Sequence, residues 1–512
     1  MAMQNLAGGC EPDPAAVAHQ EFGAELAFER PDLLGERGLC DVQSRGGSHE
    51  LTFPCDGEEV GEVAEFHVSA KPMHSIVNVS LTDARATDQP ERVPTVASVV
   101  APSATLAANE RVQAKLDAGA PVLHLAFGEA GLPVLASVAD QLAAAARHNG
   151  YGSVAGSPLM RAAAAGYFER RGVPTTPDQV LVAPGSKPLL FGLLSILPGD
   201  VVLPRPSWVS YAAQAALARK RVIGVAIPEN AGGVPDPAAL RDALVHARSA
   251  GHRPGILVLT LPDNPTGTLA PRSLLVEICE IAQAHGLLIV ADEIYRDLAH
   301  EPDAVCSPAT LAPDRVFVTN GLSKSMALGG WRIGFARLPD GPLGADARRA
   351  LAGLASEVWS SLAAPMQHAA AYVLDEPDDV REHVARSRRL HRLVTTAAHR
   401  EVVAAGAECR APAGGFYLYP DLEPVRSALG VATGAELADL LLERHDVAVL
   451  HGEAFGDEPA ALRFRIATSL LHGRTDDERW EALAAEDPVS LPWIRSALDR
   501  LGKALRALGD GD

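Results

Sequence analysis

Residues 255 to 293 limit the possible folds more than any other stretch. An unbroken apolar run, GILVLTLP (255 to 262), is followed by PRSLLVEICEIAQAHG, with proline near its start and glycine after its end. A second apolar run, LLIVADE (287 to 293), comes next. Strands that are apolar throughout are buried on both faces, as in a parallel sheet covered by helices, and the middle segment has the start and stop signals of such a covering helix. The alternation continues from about residue 96. It predicts an α/β fold in which a large three-layer α/β/α domain is built on a mainly parallel sheet, with functional side chains gathered at the C-terminal ends of the strands.

Beyond about residue 340 come long helical stretches rich in Ala, Leu and Arg, then FYLYPDL (416 to 422), VAVLHG (447 to 452) and LRFRIAT (462 to 468). These predict a smaller C-terminal α/β domain. Residues 1–95 differ in kind, with six Lys/Arg against 17 Asp/Glu, a net charge of −11 within a total of −19. Short alternating runs (HELTF, EVAEFHV, HSIVNVSLT) predict a β-rich extension there. The expected division is 1–95 extension, 96–340 large domain with an N-terminal arm, and 341–512 small domain.

The 512 residues leave room for two or three domains of about 150 residues each. With 47% hydrophobic and 21% charged residues the chain is expected to fold. The negative surface argues against coating nucleic acid or anionic lipid. No run of about 18 apolar residues is present and the start MAMQNLAGGCEPDP has no signal-peptide pattern, so a cytoplasmic protein is expected. Six cysteines without a CxxC pair suggest neither a metal site nor a disulfide framework.

Four pieces fall at strand ends: PDNPTG with Asn264, ADEIY with Asp292 and Tyr295, GLSKSMALGGWRIG with Lys324 and Arg332, and LRFRIATS with Arg463. Together they resemble the signature of fold type I pyridoxal-phosphate enzymes, specifically the class I/II aminotransferases, from about residue 100 to about 480. Gly321, Ser323, Lys324, Gly330, Arg332 and Gly334 all fall in family positions. The resemblance implies pyridoxal 5'-phosphate as cofactor and a transferase, or a related lyase, acting on an amino acid.

Elementary chemistry agrees with each role so implied. Lys324, kept partly neutral by desolvation and nearby positive charge, forms the Schiff base and then moves the proton at the substrate Cα. Asp292 keeps the pyridine nitrogen protonated by charge pairing, and Tyr295 and Asn264 donate to the phenolic oxygen. In VLVAPGSKPLLFGLL, Gly185, Ser186 and Lys187 stand between a strand and a helix, where free N–H groups and the helix dipole face a phosphate. Ser323 and Arg332 complete that set. Trp208 is expected to stack on the pyridine ring, although simple core packing would also suit it. Tyr151 matches a family tyrosine that reaches the neighbouring subunit's phosphate, which implies a homodimer with shared active sites. For the substrate α-carboxylate, Arg463 is favoured over Arg465 by its match to the family position, helped by the backbone of Gly128 and flanked by Asn264 and Trp208.

The chain departs from the family pattern in three places: Glu129-Ala130-Gly131 after Gly128, His451-Gly452, and LLHGRTDDERW (470 to 480). The first two loops are expected near the substrate, the third adds to the departure, and together they point away from ordinary amino-acid specificity; His451 and His472 either contact a polar substrate or are solvated. The leading expectation is transamination of a specialised-metabolism substrate. The alternative is β/γ-elimination, replacement or carbon–carbon bond formation on an activated amino acid such as S-adenosylmethionine, because the same residues serve Cα deprotonation in both. A regulator with a DNA-binding N-terminal domain is disfavoured by the −11 charge of residues 1–95. That extension is expected near the active-site entrance or dimer surface.

Overall fold

The computed structural model describes residues 104–509 and, ahead of them, the backbone of two short strands. These are β1 (Val42–Arg45) and β2 (Ser48–Leu51), an antiparallel hairpin pairing Val42 with Leu51. The second strand overlaps HELTF; EVAEFHV and HSIVNVSLT lie outside the described residues.

Further along the chain lie β3 (Leu123–His124), β4 (Val180–Ala183), β5 (Asp200–Arg205), β6 (Val222–Ala226), β7 (Pro254–Thr260), β8 (Leu288–Asp292), β9 (Val316–Gly321) and β10 (Gly334–Arg337). Strands β4 to β10 form one sheet in the order β4-β10-β9-β8-β7-β5-β6. The five strands from β9 to β6 run parallel, while β10 runs antiparallel to both β4 and β9. Every residue of β4, β9 and β10 is buried, as expected for strands covered on both faces. The helix Arg272–Ala284 follows Pro271, ends ahead of Gly286 at φ +68°, and buries Leu275, Ile278 and Ala282. The strand–helix–strand unit read from residues 255 to 293 is therefore present.

The register pairs Thr260 with Asp292 and Asp292 with Thr319, so β7 and β8 end level with one another and β9 runs two residues further, to Gly321. Whatever follows these strands is delivered to a single rim of the sheet.

The C-terminal half adds β11 (Tyr417–Leu418), β12 (Val447–Ala448), β13 (Leu450–His451) and β14 (Phe464–Ala467), with β11-β14-β13 antiparallel. Strand β3 pairs in parallel with β12, Leu123 opposite Val447. Leu123 and Leu125 share a core with Val447, Phe464 and Ile466. The stretch around β3, assigned from sequence to the large domain, is thus built into the C-terminal layer, because its apolar side chains find their partners there. The 27-residue helix Asp378–Ala404 turns His383, Ser387, His391 and Thr395 inward at four-residue spacing. Among the described residues no helix is long and apolar enough to cross a membrane.

Candidate active site

Lys324 lies in the one-turn helix Leu322–Ser325 that follows β9, at the rim of the large sheet. Its ammonium projects into a cavity of about 460 Å³. There it donates to the Gly128 carbonyl over 2.5 Å and lies 5.8 Å from the ring centre of Tyr295 and 5.9 Å from that of Phe416. Burial lowers its pKa to about 8; the Arg465 charge adds to the effect and Glu129 opposes it. A lysine in this state has an appreciable neutral fraction near pH 7 to 8 and can act as a nucleophile or a base.

Asp292 ends β8 and is 3% exposed. Its Oδ2 accepts from the Tyr211 hydroxyl over 2.9 Å, and its Oδ1 accepts from the Ile294 N–H over 3.3 Å. Tyr211 also shares a 2.9 Å bond with Thr260. Burial raises the carboxyl pKa to about 6, against the pull of the two hydrogen bonds. A cationic ring nitrogen at this carboxylate would return it to the ionised form.

The helix Ser186–Ile196 starts directly after β4, with Gly185 at φ +92° in front of it. The left-handed backbone of Gly185 favours glycine, and a Cβ there would lie 2.3 Å from Arg332 Nη2, so any side chain would displace that guanidinium. Arg332, itself left-handed at φ 54° and ψ 60°, donates to the Gly329 carbonyl over 2.8 Å. Ser186, Lys187, Ser323 and Arg332 line the same cavity as Lys324 and Asp292. The Lys187 ammonium is 5.3 Å from the Trp208 ring centre, and burial followed by the Arg332 charge lowers its pKa. A helix N-terminus, two hydroxyls and two close cations form a donor set suited to a phosphate dianion. Trp208 lines the same cavity as these donors and Asp292, so an anion cradle, an aromatic side chain and a buried acid border one space. On this observation the residues fit pyridoxal phosphate.

The structure places the two arginines of LRFRIAT differently from the expectation that favoured Arg463. Arg463 precedes β14, donates to Asp421 over 2.7 Å and is 3.4 Å from Asp457, outside the cavity. Arg465 lies within β14, is 2% exposed and lines the cavity. It donates to Asn264 Oδ1 over 3.1 Å and to the Ala126 carbonyl over 2.7 Å. Two residues apart in a regular strand would share a face, but the strand begins at Phe464 and the acids at 421 and 457 hold Arg463 elsewhere. The Nε of Arg465 is buried and has no partner among the described residues.

Tyr295 and Tyr417 share a 2.7 Å hydroxyl contact, and Arg465 lies 4.8 Å over the Tyr417 ring. Gly128 is tightly held, since a Cβ there would lie 2.2 Å from Tyr417 Oη. Tyr211 and Tyr417 were not singled out from sequence. Tyr211 could have been found from its place three residues after Trp208 at the start of a helix, whereas nothing separates Tyr417 from its neighbours in FYLYPDL.

Of the residues in unusual loops, Glu129 lines the cavity and has no hydrogen bond or ion pair among the described residues. His451 lies outside the cavity, and His472 is fully buried against His391, so neither histidine is placed to touch a substrate. Tyr151 is 84% exposed and does not line this chain's own cavity.

Comparison with known proteins agrees with this arrangement. Residues 120–472 match the family described as aminotransferase class I and II. The aspartate aminotransferase of Geobacillus stearothermophilus is 32% identical over 389 residues, covering 74% of this chain and 95% of that protein. An aspartate/prephenate aminotransferase of Thermus thermophilus is 31% identical over 388 residues, covering 74% and 95%. The solved structure of the Thermus thermophilus aspartate aminotransferase with maleate superposes with a TM-score of 0.67 at 29% identity, covering 80% of this chain and 98% of that one. A lysine of lowered pKa, a buried acid and an anion cradle thus occur on a matching fold and sequence, and the chain belongs to the class I and II aminotransferases, pyridoxal-phosphate-dependent transferases of fold type I.

Proposed function

We propose that the protein transfers the amino group of an α-amino acid to an α-keto acid, with Lys324 as nucleophile and base. The observation that carries this reading is that Lys324, Asp292 and Arg465 face one cavity, with the lysine pKa lowered to about 8. When bound, pyridoxal phosphate supplies an electrophilic aldehyde and a ring that delocalises the electron pair left at Cα. Ser186, Lys187, Ser323 and Arg332 hold its phosphate, Asp292 pairs with its ring nitrogen, and Trp208 covers its face. Tyr295 and Asn264 donate to its phenolic oxygen. Arg465 grips the substrate α-carboxylate through its fork and so orients the Cα–H toward Lys324. In the cofactor-free chain the Gly128 carbonyl accepts from the Lys324 ammonium and so holds it at the cavity wall. Tyr151 completes the phosphate site of a partner subunit in a homodimer.

The test is borohydride reduction of the cofactor-loaded protein, followed by peptide mass spectrometry and product analysis with a panel of amino acids. A reduced adduct on Lys324 and turnover that requires a keto acid are expected. Failure to trap Lys324 overturns the reading.

A second reading, elimination or replacement on a cationic substrate such as S-adenosylmethionine, is supported by Glu129, whose carboxylate lines the cavity without a partner among the described residues. Release of a thioether fragment without a keto acid would select it.

A further inference from the structure

Behind the lysine, the inward face of the helix Asp378–Ala404 meets the turn Ser469–His472. His391 and His472 are both fully buried, with ring centres 4.6 Å apart, and all four of their ring nitrogens are without a partner among the described residues. Ser387 stands one helical turn before His391, and Ser469 one turn before His472. Both are fully buried, and neither hydroxyl has a partner among the described residues. One turn further along the same helix, Thr395 and Thr468 make a direct 2.7 Å contact, so polar faces meet along this seam.

Each neutral imidazole brings one N–H donor and one acceptor, and each hydroxyl brings both. Such groups are not left dry and unpaired inside a protein; they pair with each other or with enclosed water. The seam also touches the walls of the cavity. The His391 ring lies 4.9 Å from that of Phe416, whose ring centre is 5.9 Å from the Lys324 amine, and Thr468 donates to the Phe416 carbonyl from both its N–H and its hydroxyl. On the other flank, a Cβ at Gly131 would lie 3.2 Å from the Ser469 carbonyl oxygen, so the loop from Gly128 to Gly131 rests on this turn.

We infer that His391, His472, Ser387 and Ser469 form one closed hydrogen-bonded cluster, completed by enclosed water, that positions Phe416 and the Gly128 loop around the Lys324 amine. The cluster does not touch substrate; its members are positioning residues. Burial lowers the pKa of both histidines, and the other charged or titratable groups facing them are His300 on the His391 side and Arg479 on the His472 side. Both rings are therefore neutral at working pH, as a cluster of alternating donors and acceptors requires.

This inference rests on the reading of Lys324 as the cofactor lysine, and its tests separate the two. In the full-length cofactor-loaded protein, His391→Phe keeps the ring volume and removes the hydrogen bonds, whereas His391→Gln retains a donor and an acceptor. His391→Phe is expected to shift the pKa of the visible absorption band by about half a unit or more and to lower kcat about fivefold, with KM nearly unchanged. His391→Gln is expected to restore both. If both variants keep the parent band pKa and kcat and differ only in melting temperature, the cluster is packing alone and the inference fails. Should His391→Phe not fold, Ser469→Ala carries the same comparison: a smaller shift in the same direction supports the cluster, and no shift overturns it. A high-resolution crystal structure of the unaltered protein decides independently of the cofactor. Ordered water bridging the two rings and two hydroxyls is expected, and an empty gap between them overturns the proposal.

Discussion

Tyr211 donates its phenolic proton to Asp292 over 2.9 Å, which gives the buried acid of the cavity a neutral partner rather than a cation. The carboxyl pKa stays raised, at about 6, because a neutral donor only partly offsets burial. A proton on Asp292 competes with the positive ring nitrogen it is proposed to hold. Affinity for pyridoxal phosphate should therefore fall as pH drops through about 6. Tyr211→Phe should weaken affinity roughly five- to tenfold at pH 7 and move this limb upward. Absorbance or fluorescence titration with the cofactor between pH 5 and 8 checks both; a limb unmoved by Tyr211→Phe would count against the pairing.

The two arginines of LRFRIAT should separate cleanly. Replacing Arg465 by Ala removes the guanidinium that faces the cavity and should lower kcat/KM for the amino acid by about 10²- to 10³-fold. Arg463→Ala leaves that cavity wall intact, and kcat/KM should stay within about threefold. Equal effects of the two substitutions would contradict the placement of Arg465 at the carboxylate.

Asp263, next to Asn264, is 1% exposed; its Oδ2 accepts from the Thr266 N–H at 3.1 Å and hydroxyl at 2.6 Å, while Oδ1 has no partner among the described residues. Burial raises its pKa from 3.8 to about 7. Between those values the folded protein holds a proton that the unfolded chain has released, so this group's contribution to stability falls as pH rises from about 4 to about 7. Asp263→Asn, which cannot ionise, should be more stable than the parent at pH 8, by about 2 to 4 kcal/mol, and close to it at pH 4. Urea unfolding of the cofactor-free proteins at the two pH values measures the difference.

The buried histidines have the opposite sign. Burial lowers the pKa of His391 well below 6.5, of His472 to about 3 and of His300 to about 4. Below about pH 6.5 the unfolded chain takes up protons that the fold refuses, so stability falls with falling pH, by about 1.4 kcal/mol per pH unit for each such group. His472→Gln should flatten the acid limb of a stability–pH curve between 6 and 4. An unchanged slope would show that His472 is protonated in the folded state.

The parts of the site that were legible in sequence are those whose chemistry is local. Lys324, Asp292, Asn264 and the Gly185–Lys187 turn each sit in a short motif at the end of a strand, and the strand–helix–strand unit around residues 255–293 is written in its apolar runs. What was hidden depends on contacts between distant segments. Arg463 and Arg465 are indistinguishable until Asp421 and Asp457 are seen to claim the first. Tyr211 and Tyr417 matter through Asp292 and Tyr295, which no local pattern links to them. The pairing of β3 with β12 joins residues more than 300 positions apart, so the assignment of that stretch to the large domain could not be tested from its own composition. His472, expected either to contact a polar substrate or to be solvated, is fully buried instead, because Leu471 beside it and His391 across from it share a buried face.

That pairing has a mechanical consequence. The chain bearing Phe127 and Gly128 is stitched to the C-terminal layer through β12 and through the bond from the Ala467 N–H to the Leu125 carbonyl, whereas Lys324 rides on the seven-stranded sheet. The 2.5 Å contact between the Gly128 carbonyl and the lysine amine therefore joins a segment held by the C-terminal layer to a residue carried by the large sheet. Two separately built parts of the chain thus meet at the residue proposed to carry the chemistry, and the cavity depends on both being folded.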